Sequence, residues 1–200
     1  MSEIHEAIEK AEEGEHGGGF NRRIALVIAI LALFLSFSET LGKGAQTEAV
    51  TKNIEASDLW AFFQSKSVRM TTVNTAAQEM SVTADAASDP ATKAALQKQV
   101  DAWKAIAARY DSEPSTGEGR KELTERAKAA EEERDLAMAK YHHYELASAA
   151  FQVGIVLASA AVITGIVALA WCAGALGVLG AVLTVLGLYA PHAVPLIATL

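Results

Sequence analysis

A chain of 200 residues with a formal charge of -7, 51% apolar content and a single cysteine, Cys172, excludes several readings at the outset. Phosphate backbones are bound by clustered Lys and Arg, and the absence of such a patch removes nucleic acid as a partner. One cysteine cannot close an intramolecular disulfide, and without a G-x-S-x-G, a phosphate loop, an HExxH or a Cys/His cluster the chain is expected to be neither an enzyme nor a cofactor carrier.

Residues 1–20 read as an acidic, flexible arm. Glu3, Glu6, Glu9, Glu12 and Glu13 surround a short apolar face, and Gly17-Gly18-Gly19 forms a joint. His5 and His16 lack a partner at a metal-binding spacing and read as solvated tail residues. Arg22 and Arg23 then precede the uncharged run Ile24 to Phe37, which reaches Leu41 if Glu39 extends to the headgroup water. This is the first predicted transmembrane helix, 21–41. It reads as an uncleaved anchor, because Ser36-Phe37-Ser38-Glu39 is a poor signal-peptidase site. Glu39 is the one ionisable side chain at membrane depth and is therefore a candidate pore or proton site, against the plainer reading of a carboxylate at the interface.

The segment 42–145 is predicted to lie outside the membrane as a helical hairpin or stalk, with helices at about 45–87, 91–110 and 120–145. In the first, Ala49, Ala56, Phe63, Met70 and Ala77 recur every seven residues, while Val50, Ile54, Ala61 and Val68 form a thinner line near the opposite side. A helix with two apolar lines must touch more than one neighbour, so a single intramolecular hairpin leaves one line wet, and self-association is expected. Ser88-Asp89-Pro90 stops one helix and caps the next, which carries the 4-3-4-3 seam Leu96, Val100, Trp103, Ala107 and Tyr110. The loop 111–119 follows, where Ser115 and Glu118 have capping-box spacing. From Arg120 the series Leu123, Ala130, Ala137, Tyr144, Phe151 and Ala158 keeps a period of seven across the polar-to-apolar boundary, which predicts a helix that does not stop at the membrane. His142 and His143 point about 100° apart on such a helix and cannot clamp one ion together.

Between Leu146 and Leu200 there is no Asp, Glu, Lys or Arg. About 20 apolar residues span a bilayer, so two further transmembrane helices are predicted at 146–171 and 173–190, with Trp171 to Gly174 as their turn and an apolar tail at 191–200. Small residues four apart, Gly154 with Ala158, Ala161 with Gly165 and Gly177 with Ala181, suit close approach of membrane helices. The fold class is thus all-α: an integral membrane protein with three transmembrane helices and a long antiparallel coiled-coil-like stalk.

The run from Arg22 to Thr71, most specifically Gln46 to Phe63, resembles the opening of a bacterial inner-membrane family known only as a domain of unknown function. The resemblance implies a bacterial integral membrane protein and transfers no activity or catalytic residue. Function is therefore expected from architecture. The chain reads as a structural or scaffolding protein, partnered by the lipid bilayer and by further copies of itself through the stalk residues (Ala49 to Ala77, Leu96, Val100, Trp103) and the small-residue span faces. The alternatives are an accessory subunit of a larger membrane complex and an ion-conducting oligomer lined by Glu39. Arg22 and Arg23 favour a cytoplasmic N-terminus and a periplasmic stalk.

Overall fold

The computed structural model describes residues 2–192, with side chains from Gly19 onward. The side chains of the acidic arm and the tail from 193 therefore lie outside the described residues. Four helices follow in order: α1, Ser2–Ala86; α2, Pro90–Asp111; α3, Arg120–Thr164; and α4, Val167–Tyr189. Among the described residues there is no strand.

α1 runs unbroken through Gly17-Gly18-Gly19 and through Gly42-Lys43-Gly44, where the sequence suggested a joint and a weak point. A glycine costs a growing helix only about 1 kcal/mol relative to alanine, and propagation along an established helix tolerates that where nucleation would not. Gly42 is buried, and a Cβ there would sit 3.4 Å from the Tyr144 Cβ, so this glycine serves close packing.

The chain divides into two compact units, one from Met1–Glu48 with Leu136–Leu200, the other Ala49–Asp135. In the second unit the seven-residue line on α1 faces inward: Ala49, Ala56 and Ala77 are buried, Phe63 and Met70 are half-buried, and Ala84, fully buried, continues the series. Ala56 and Leu59 meet Leu123, Ala127 and Ala130 of α3 in one cluster, with Trp60, Phe62 and Phe63 packed around it. α2 buries Val100 and Ala107, while Leu96 and Trp103 are half-buried. Its start is capped as expected, since the Asp89 carboxylate accepts from the Thr92 amide at 2.9 Å and the Thr92 hydroxyl at 2.6 Å. Those bonds, the hydroxyl's first, hold the Asp89 carboxyl below its ordinary pKa.

The loop before α3 corrects the expected capping box. Ser115 and Glu118 do not form it. Instead Gly119 begins the helix, its carbonyl accepting from the Leu123 amide at 2.9 Å, and Glu122 reaches back to the Ser112 hydroxyl at 2.6 Å and the Glu113 amide at 3.1 Å. The Ser112 hydroxyl is the main reason that the Glu122 carboxyl is held below its usual range. A Cβ on Gly119 would come within 2.6 Å of the Ser112 Cα as well as meeting Glu122. Gly119→Ala is therefore expected to open this clasp and lower stability by about 1–3 kcal/mol, in the range of overpacked sites. Hydrogen exchange at the first turn of α3 checks it.

Lys66 is buried beside the same loop. Its ammonium lies 5.2 Å from the Phe62 ring centre and 5.5 Å from that of Tyr110, with Glu118 at 3.5 Å. Two aromatic faces and one carboxylate replace the water that a buried cation loses.

In the first unit α1, α3 and α4 pack through small residues. Ala173, Gly177, Gly180, Thr184 and Gly187 line one face of α4 at 4-3-4-3 spacing. Leu31 of α1 sits over Gly177, Phe151 of α3 over Gly180, and Tyr144 over Gly187: a Cβ at these glycines would meet those side chains at 2.6, 2.8 and 2.8 Å. Apolar side chains are exposed on the outer faces of these helices, as at Leu26, Leu33, Val156, Ile163, Val178 and Val182.

The turn between α3 and α4 is not at Trp171 to Gly174, which lies within α4, but at Gly165-Ile166. Gly165 has φ +72°, a left-handed conformation that glycine adopts without steric cost, and the Thr164 hydroxyl accepts from the Ile166 amide at 3.3 Å. The boundary between the two apolar helices accordingly lies several residues before the one expected between 146–171 and 173–190. Gly165 is exposed in that turn and is not one of the packing residues.

Candidate functional site

Where α1 and α3 leave their apolar stretches, they enclose an open cavity of about 410 Å³. From α1 it is lined by Ser38, Glu39, Gly42, Lys43 and Gln46, which recur at steps of three and four and so share one helix face. From α3 come Tyr141, Tyr144, Glu145, Ser148, Ala149 and Gln152 on the same logic.

The floor is held by a buried bond, the Ser38 hydroxyl donating to the Tyr144 carbonyl at 3.0 Å. Tyr144 is wedged between Gly42 and Gly187, so its ring face is occupied. The polar wall is sparsely paired. Gln152 donates to Glu39 at 3.4 Å, and Glu145 accepts from the Tyr141 hydroxyl at 3.3 Å with His142 at 3.8 Å. Lys43 makes no ion pair among the described residues, although Glu39 precedes it by four positions, an order that favours pairing along a helix. Ser148, only 9% exposed, lines the cavity with no hydrogen-bond partner among the described residues.

Behind this wall His143 is fully buried. Its Nδ1 lies 2.9 Å from the Ala139 carbonyl and its Nε2 finds no partner. His142 is turned away from it toward Glu145, so the adjacent histidines do not converge. Among the described residues no group of three His, Cys, Asp or Glu gathers as a metal site would require.

The structure thus places the sequence-derived residues in distinct settings. Glu39 lies on the cavity wall. Ala49, Ala56 and Ala77 are covered within the single chain, as is Val100. Gly154, Ala158 and Gly177 pack between helices, and Ala181 is half-buried against the Leu31–Phe151 cluster. Missed as sites were Lys43, Gln46, Ser148 and Gln152. The available signal was their three- and four-residue spacing from Glu39 and Glu145, visible only once α1 and α3 are known to be neighbours.

These features define an all-helical protein in which three helices are long and apolar enough to cross a membrane. The chain matches the family described as a domain of unknown function, DUF4337, over residues 20–190, and belongs to it. Neither a curated protein nor a solved structure matches it.

Proposed function

We propose that the protein is a non-enzymatic scaffold of the bacterial inner membrane. Its three apolar helices are the spans, the unit 49–135 is a coiled-coil-like stalk, and copies associate through the stalk, since the small-residue span faces are filled by the chain's own side chains. Membrane residence is supported by apolar side chains on the outer faces of the first unit, a surface that lipid accepts and water does not. The basic pair Arg22 and Arg23 favours a cytoplasmic N-terminus and a periplasmic stalk.

The observation that carries self-association is the second line on α1. Val50, Ile54, Val68 and Val82 are between 55% and 71% exposed, while the opposite line is already covered by the chain itself. Ile54, Ala61, Val68, Thr75 and Val82 repeat every seven residues, the period of a supercoiled partner. The protein extracted in mild detergent is expected to run as a discrete oligomer of one polypeptide by light scattering. Ile54→Glu combined with Val68→Glu should reduce it to monomer with its helix content retained. A wild-type chain that stays monomeric at every concentration overturns the reading. A second reading, an accessory subunit of a larger complex, uses the same wet line for a foreign helix and predicts stoichiometric foreign subunits in complexes drawn from native membrane.

A further inference from the structure

We propose that the cavity between α1 and α3 binds the headgroup of a zwitterionic aminophospholipid, its primary ammonium against Glu39 and Glu145 and its phosphate against Lys43. The inference rests on the membrane reading above, because it takes the cavity to lie in the headgroup layer. It sits where both helices pass from uncharged to charged sequence, at Glu39 on α1 and Glu145 on α3.

The charges on the wall select the ligand. One lysine against two glutamates makes a poor site for an anionic lipid, which is held by clustered Lys and Arg. A ligand carrying both signs meets every charge on the wall, and Glu39 and Lys43 remain unpaired with each other although their spacing allows it. The polar groups then distinguish the type of ammonium. Glu39 and Glu145 are acceptors, and a primary ammonium offers three N–H donors to them. Ser148 adds a further polar group to the wall: the residue is nine-tenths buried, and its hydroxyl bonds to no protein group among the described residues. That hydroxyl opens on the cavity and is free to accept from an N–H of the occupant. A quaternary ammonium has no N–H to give, and its usual receptor is a cage of open aromatic faces. The cavity offers no such cage: of its two tyrosines Tyr144 is packed on Gly187, which leaves Tyr141 alone.

The test uses the full chain reconstituted in bilayers containing equal phosphatidylethanolamine and phosphatidylcholine, with retained lipid counted by native mass spectrometry after release. Phosphatidylethanolamine should be retained about tenfold over phosphatidylcholine. Glu39→Gln with Glu145→Gln should erase the preference, and Lys43→Gln should reduce retention of both lipids. Soluble phosphoethanolamine should displace the bound lipid, placing recognition in the headgroup. Equal retention of the two lipids by the wild type overturns the proposal, as does a preference unchanged in the double variant. Displacement by spermidine without any lipid preference also overturns it, in favour of a soluble polyamine. A chain released from membranes by alkaline carbonate would instead sink the membrane reading itself. Ser148→Ala, too small a change to prevent folding, should weaken retention of phosphatidylethanolamine alone.

Discussion

Leu123→Ala is expected to destabilise the unit 49–135 by about 3–5 kcal/mol, the upper part of the range for leucine truncation. Leu123 is fully buried, and three of its four buried neighbours, Ala56, Ala127 and Ala130, are alanines. An alanine has no side-chain rotamer with which to move into a void, so the cavity left behind stays open and its full cost is felt. Trp60 packs on this cluster and its indole N–H donates to Glu131 at 2.9 Å, so its fluorescence follows the loss. Urea unfolding in mild detergent gives the magnitude. A change below about 1 kcal/mol would show that the helices close over the gap.

Phe151→Ala removes a larger side chain, yet a smaller loss of about 2–3 kcal/mol is expected in a bilayer or detergent. Phe151 is 1% exposed, stacks on Phe34 with ring centres 5.9 Å apart, and lies over Gly180. In water its truncation would carry both a transfer term and a cavity term. Lipid tails are as apolar as the side chain itself, so the transfer term nearly vanishes for a membrane helix. What remains is a void of roughly 100 Å³ at about 24 cal/mol per Å³. The measurement is the loss of α3–α4 association on titration with a denaturing detergent. A larger cost at Phe151 than at Leu123 would indicate that the first unit folds against water, contrary to the membrane reading.

The residues that kept a strict period in sequence are those whose placement was legible. Ala49, Ala56, Ala77 and Val100 were expected to pack in the stalk and between copies, and their regular spacing did mark an apolar face; the chain buries them, with Leu123, against itself. α2 was readable because Asp89 and Pro90 are local signals whose chemistry does not depend on the rest of the chain. Apolarity alone could not locate the turn after Thr164. Every residue from 146 to 200 is uncharged, so hydropathy has no edge there, and the left-handed Gly165 following Thr164 was the only mark. Trp171 and Cys172 look like a boundary because they are bulky or reactive, but a helix accepts both. The cavity was legible only in part. Glu39 stood out as a carboxylate at the end of an apolar run, whereas Lys43 and Ser148 gain meaning from a neighbour 100 residues or more away in sequence, as the Ser38–Tyr144 bond 106 positions apart illustrates.

The short turn at Gly165-Ile166 bears on how the proposed spans would enter a bilayer. It carries no charge, and one of its amides is already taken by Thr164. Gly187 against Tyr144 puts the far end of α4 beside the middle of α3, where the apolar stretch of α3 begins. On the proposed reading the hairpin can therefore enter the hydrocarbon tip first with no charge to carry through, its tip hydroxyl on Thr164 already bonded to the Ala160 carbonyl.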